Sequence, residues 1–331
     1  MNLRAPVPRP SSLFLLSSLL VLAACQGPGQ AVRTPSASTT AYSAIAGRDI
    51  AHEESTFEGT GGLQLFSQSW RPVGDEPRAV LIAVHGLRDH GSRYGELAEH
   101  LVAQGFAVYA FDLRGHGHSE GVRVHLDSFE DYLADLGRFL ERVKQREPGR
   151  PVFLFGHSMG GAIVTLFTLE KKPDVQGLVL SAPALKPGKD VSKALIATTK
   201  VLGGVMPNLD VLSLDPKQFS RDPAVVKENE TDPLIFQDAA PARTASRLLS
   251  ALGTISERME ELSTPVLVMH GTADTVTDPE GSKALAQRAS ATDKTLKLYD
   301  GLFHDLLHEP EKAQVLGDVS GWLKEHANAA R

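Results

Sequence analysis

The sequence predicts one α/β domain whose mostly parallel sheet is covered by helices on both faces and interrupted by a helical insertion. Three observations carry this. Continuous apolar runs of strand length alternate with amphipathic helical stretches. A Gly156-His157-Ser158-Met159-Gly160 turn stands between one such run and a helix. A proline-punctuated segment of about 183–262 contains no convincing buried strand.

Gly62 to Trp70 alternates apolar and polar residues and reads as a half-buried strand. Ala79–Val84 and Phe106–Phe111 are apolar throughout, as strands buried on both faces are. Between them, Leu97, Leu101 and Val102 recur at helical spacing, and Gly105 closes that helix. From Ser128 as N-cap to Lys144, a second helix carries Phe129, Tyr132, Leu133, Leu136 and Phe139 on its apolar side. Further strands read at 152–155, 178–181, 266–269 and 295–299, and helices at 159–171, 279–290 and 311–326. Inside the insertion, 191–205 and 242–259 look helical. This insertion interrupts the alternation and is placed to fold over the carboxyl ends of the strands.

The chain of 331 residues has a net charge of -6 and no basic tract, which argues against a nucleic-acid partner. The single cysteine, Cys25, excludes an intrachain disulfide framework and a cysteine-based zinc site. It follows a basic start with Arg4 and Arg9, an apolar stretch from Leu13 to Val21, and Leu22-Ala23-Ala24. That layout reads as a signal peptide over 1–24, too short for a membrane span. Small residues before a cysteine resemble the bacterial lipobox, in which the cysteine becomes the lipid-bearing N-terminus. The expectation is a lipid-anchored protein of the bacterial cell envelope; Gln26, in place of aspartate, points to the outer membrane. The alternative is an ordinary secretory signal and a secreted protein. Residues 25–45 are rich in Pro, Ser, Thr, Ala and Gly and read as a disordered tether, with the folded domain over 46–331. Such a tether reaches roughly 20–25 Å.

The Gly-x-Ser-x-Gly turn follows Val152-Phe153-Leu154-Phe155 and precedes an apolar helix, the setting of a nucleophile elbow. A serine hydroxyl needs a base, and the base an orienting acid. With the order Ser, Asp, His, the candidates are Ser158 as nucleophile, Asp274 past strand 266–269, and His304 past strand 295–299. Asp278, just before Pro279, reads as an N-cap, and Asp300 as a turn residue. His304 and His308 have the spacing of a helical zinc pair, but Asp305 stands where the metalloprotease glutamate belongs. No metal and no organic cofactor is implied. The oxyanion donors are the backbone N–H of Met159 and that of Leu87, in the loop beginning His85-Gly86. A second glycine-rich loop, Asp112 to Gly121, reads as support beneath the site.

With these residues in view, the chain resembles the monoacylglycerol lipases of the α/β-hydrolase superfamily. The resemblance runs from about Gly62 to Leu323. It rests on His85-Gly86, Phe111–Gly121, Gly156–Gly160, Gly271–Asp274 and Tyr299–His304, and in the cap on Met206–Leu209 and Ser220–Ile235. It implies an α/β-hydrolase fold, a lipid ester substrate, and Ser158, Asp274 and His304 as the catalytic residues. It also implies that the cap forms an apolar acyl tunnel and docks on lipid, for which 194–197 and 201–206 supply apolar surface. The same residues read alternatively as packing onto the domain body. Leu87-Arg88-Asp89 departs from the family, which often has a small residue followed by Gly-Glu; the departure bears on the floor of the pocket. Other readings are a lysophospholipase, a general carboxylesterase, or a non-catalytic lipid-binding lipoprotein. The last would be expected to have lost one of the three residues, and all are present.

Overall fold

The computed structural model describes residues 41–44, 49–189 and 191–329. The signal peptide read over 1–24, Cys25 and most of the tether lie outside the described residues. The sheet contains β1 (Ala41–Ala44), β2 (Ile50–Glu58), β3 (Gln64–Pro72), β4 (Ala79–Val84), β5 (Phe106–Phe111), β6 (Val152–His157) and β7 (Gly177–Ser181). The cap adds a small separate ribbon of β8 (Asp210–Leu212) and β9 (Ala240–Pro241), and β10 (Val266–Gly271) and β11 (Lys294–Tyr299) complete the main sheet.

The order is β1-β2-β3-β5-β4-β6-β7-β10-β11. From β5 to β11 every pair is parallel; β1, β2 and β3 add antiparallel strands at the other edge. The sheet therefore begins earlier than the sequence suggests. Ala41–Ala44, inside the stretch read as tether, pairs with Ala51–Glu54 of β2.

Why the apolar runs are continuous follows from the two-residue period of a strand. Val80, Ile82 and Val84 of β4 face one layer, with α2 (Phe129–Arg146), α3 (Met159–Lys171) and α7 (Pro279–Arg288). Ala79, Leu81 and Ala83 face the other, with α1 (Gly95–Val102) and α8 (Lys312–Ala329). Both sets are fully buried, so no position in the run can be polar. Ser128 caps α2 by accepting from the Glu130 N–H. Asp278 caps α7 in the same way, with Pro279 in the first turn.

Between β7 and β10 the chain forms the cap, with α4 (Lys193–Val205), α5 (Pro223–Thr231) and α6 (Ala242–Arg258). The two long helices lie where the apolar spacing put them. The short α5 is polar on most sides, so periodicity gave no signal; Asp222-Pro223 at its start is the same cap as Asp278-Pro279.

The β6–α3 turn holds its serine in a costly backbone conformation. Ser158 has φ 53° and ψ -120°, a sparsely populated region for any residue with a Cβ. The turn can be this sharp because Gly156 and Gly160 flank it. A Cβ on Gly156 would lie 2.5 Å from the Gly160 oxygen, and one on Gly160 would lie 2.1 Å from the Val84 oxygen. Both obstacles are backbone and cannot swing aside. Gly160→Ala is expected to destabilise the fold by about 3 kcal/mol or more, read by urea denaturation; wild-type stability would contradict the turn geometry.

Candidate active site

Ser158, Asp274 and His304 all lie just past the carboxyl ends of parallel strands: β6, β10 and β11. Asp274 and His304 are directly joined, with Nδ1 of His304 2.7 Å from Oδ2 of Asp274. Nδ1–H donates, so Nε2 is the basic nitrogen. That nitrogen is buried and has no hydrogen-bond partner among the described residues. The His304 ring lies against that of His157, the residue preceding Ser158, with centroids 4.8 Å apart. Phe219 of the cap covers it edge-on at 5.3 Å.

The sequence reading missed two partners of Asp274. His270 Nε2 lies 3.0 Å from Oδ2, and the Thr277 hydroxyl donates to the same oxygen at 3.0 Å. The other oxygen accepts from the N–H groups of Val276 and Thr277, at 2.8 and 3.1 Å. Burial pushes the Asp274 carboxyl up, but the neighbouring His304 and the bonds from His270 and His304 outweigh it and hold it well below its ordinary range. The carboxylate thus stays ionised and has no freedom to turn. The one signal in the sequence was the spacing of His270 four residues before Asp274.

His157 is buried, and burial together with His304 lowers its pKa to about 4. It is neutral at pH 7, so it does not repel a positive charge on His304. Its Nδ1 is fixed to the Ser181 carbonyl at 3.2 Å.

Leu87 and Met159 carry the proposed oxyanion N–H groups. Leu87 and Met159 line the same cavity as the serine. A Cβ on Gly86 would be 3.2 Å from the Cβ of Ser158, so the loop carrying Leu87 crosses directly over the nucleophile turn. His85 sets this loop: its Nδ1 lies 2.7 Å from the Gly86 oxygen, and its Nε2 accepts from the Leu113 N–H at 2.9 Å. Burial lowers its pKa to about 3, so the ring is neutral and keeps one tautomer.

The loop from Asp112 to Gly121 is tied to the loop that follows β4. Buried Asp112 accepts from the Gly91 N–H at 2.7 Å and the His118 N–H at 2.8 Å, tying two loops together. The superficial zinc pair separates into two unrelated contacts. His304 pairs with Asp274, whereas His308 pairs with Asp305 at 2.8 Å and with Arg93. Among the described residues, no group of three or more potential metal ligands comes together.

Ser158 opens into an apolar cavity of about 830 Å³, mouth included, between the sheet and α4 and α6. Val191, Leu195, Leu248 and Leu252 line it, and among the described residues Lys186 is its one charged residue.

A strained serine between a strand and a helix, an ordered Asp–His pair and a helical cap define a serine hydrolase of the α/β-hydrolase fold. The family described as serine aminopeptidase, S33, matches residues 75–311, and the chain belongs to it. A monoacylglycerol lipase of Mycolicibacterium smegmatis is 37% identical over 273 residues, covering 82% of this chain and 97% of that one. The monoglyceride lipase of Homo sapiens is 34% identical, covering 81% and 89%. The crystal structure of a monoacylglycerol lipase from Paleococcus ferrophilus superimposes with a TM-score of 0.72 at 34% identity, covering 79% and 99%. The chain is a carboxylic ester hydrolase.

Proposed function

We propose that this protein hydrolyses monoacylglycerols to glycerol and free fatty acid, with Ser158, Asp274 and His304 as its catalytic residues. The carrying observation is the apolar cavity at Ser158, whose lining contains no carboxylate among the described residues. An aminopeptidase would need a buried acid there to bind its substrate's terminal ammonium. The relatives named as monoacylglycerol and monoglyceride lipases support the same substrate.

When the ester is seated, the Ser158 hydroxyl turns to His304 Nε2, gives up its proton and attacks the carbonyl. The N–H groups of Leu87 and Met159 stabilise the oxyanion, and Asp274 stabilises the imidazolium. His304 then protonates the leaving glycerol oxygen. Water deprotonated by His304 attacks the acyl-serine and releases the fatty acid. With esters of one acyl chain, turnover is expected to be higher for monoacylglycerol than for lysophosphatidylcholine. A preference for lysophosphatidylcholine would instead make it a lysophospholipase.

The cap suits a lipid surface. Leu195 lines the cavity yet is half exposed, and Val201 and Val205 on the same helix are 64% and 76% exposed. An apolar helix face beside a cavity mouth lowers the cost of moving a lipid from a bilayer into the site. Among the described residues no helix is long and apolar enough to cross a membrane. Attachment is assigned to a lipidated Cys25 in the cell envelope, the outer membrane where the cell has one, on the strength of the lipobox-like Leu22-Ala23-Ala24-Cys25. Cys25→Ser should abolish incorporation of labelled fatty acid into the protein and release it from the membrane fraction. Retention with full labelling would contradict the anchor.

A further inference from the structure

A second, smaller space of about 400 Å³, mouth included, lies beside the apolar cavity. Its exposed lining is mostly apolar, from residues such as Pro216, Phe219 and Ile235, with the polar side chains of Arg88, Asp89 and Arg93 among them. Two residues, Leu87 and Leu214, line both spaces. One belongs to the loop after β4 and the other to the cap, so a wall of two leucines stands between the chamber with Ser158 and the second space.

Arg88 holds that wall. It is buried, with a φ of 71°. Its guanidinium donates to three cap carbonyls: Phe236 at 2.5 Å, Gln237 at 3.0 Å and Leu214 itself at 3.1 Å. The Phe236 N–H donates back to the Arg88 oxygen at 3.1 Å. Among the described residues no carboxylate accepts from this cation; Nε and both terminal nitrogens each donate to cap backbone. A charged group placed in this way is a geometric fastener, because each planar N–H fixes one carbonyl. The adjoining Arg123 adds a fourth tie, to the Leu234 oxygen at 3.2 Å.

We propose that Leu87 and Leu214, fastened by Arg88, form a partition that limits the size of the alcohol portion an ester can present to Ser158. This rests on the ester-hydrolase reading above. An alcohol of glycerol's size passes beside the partition and meets polar groups; a larger headgroup meets two leucines whose backbones cannot separate. Arg88 is a positioning residue: it lines the second space and not the chamber that holds Ser158, and it acts on the wall through the Leu214 backbone.

The test compares esters of one fatty acid that differ only in the alcohol: methanol, glycerol and glycerophosphocholine. The readout is the ratio of kcat/KM for glycerophosphocholine to that for methanol, measured on one enzyme sample. The folded fraction cancels from such a ratio, so a purely destabilising substitution leaves it unchanged. Leu214→Ala removes the cap side of the wall. Arg88→Gly removes the fastener at a φ that glycine adopts freely. Each should raise the ratio by about tenfold, and Arg88→Lys, with a single point charge, should lie between wild type and glycine. Wild-type ratios in both Leu214→Ala and Arg88→Gly, with fluorophosphonate labelling retained, would overturn the partition. If the wild type cleaves the methyl ester but not the monoacylglycerol, the substrate assignment fails while the ratio still tests the wall.

Discussion

Replacing Ser158 with alanine is expected to lower kcat on monoacylglycerol by about 10⁶ while leaving the fold and KM close to wild type. Two features make this the largest single effect. The serine is held at φ 53° and ψ -120° by backbone contacts of Gly156 and Gly160, not by its own hydroxyl, so removing the oxygen relieves nothing and displaces nothing. The cavity and the N–H groups of Leu87 and Met159 remain, so binding survives. His304→Ala should cost a similar factor, and the double variant little more, because nucleophile and base act as one unit. Steady-state hydrolysis measures all three. Independent, multiplying losses would argue that His304 does not act on Ser158.

Asp274→Asn should cost about 10⁴ in kcat with little change in KM. The carboxylate oxygen that meets His304 Nδ1 also receives His270 and the Thr277 hydroxyl. An amide cannot satisfy that arrangement. If its nitrogen faces His304, the ring is driven to the tautomer that carries its proton on Nε2 and can no longer accept from serine. If its oxygen does, the imidazolium still loses its counter-charge. The substitution also has a signature in stability. The folded carboxyl lies below its ordinary value of 3.8, so its contribution to stability is fully present above that pH and is lost as pH falls. Wild-type stability, followed by urea denaturation, should therefore decline below about pH 4 more steeply than that of Asp274→Asn.

The parts of this architecture that the sequence made legible share a physical cause: each is written by burial or by a steric limit. Strands β4 and β5 are buried on both faces, so Ala79–Val84 and Phe106–Phe111 admit no polar residue and their bounds could be read directly. The elbow is legible because two backbone contacts exclude any Cβ at Gly156 and Gly160. The Asp274–His304 pair followed from strand ends and chain order. What was not legible lacks such limits. Strand β2 begins near the sheet edge and mixes Glu53, Glu54, Ser55 and Thr56 among its apolar residues. Helix α5 has a single buried residue, Asn229, so its face leaves no stripe. The His270 and Thr277 contacts with Asp274 and the Arg88 grip on the cap depend on side-chain direction across long sequence separations. Leu87-Arg88-Asp89 was visible as a departure within the pocket loop. That the arginine turns out of the pocket and into the cap was not.

The most direct test of the account is the site of covalent attachment. The purified soluble domain, mixed with a fluorophosphonate and analysed by intact mass and peptide mapping, should gain one adduct on Ser158. The adduct should disappear in Ser158→Ala and form far more slowly in His304→Ala. A protein that hydrolyses ester yet gains no adduct, or carries it on another residue, would contradict the assignment of Ser158 as the nucleophile.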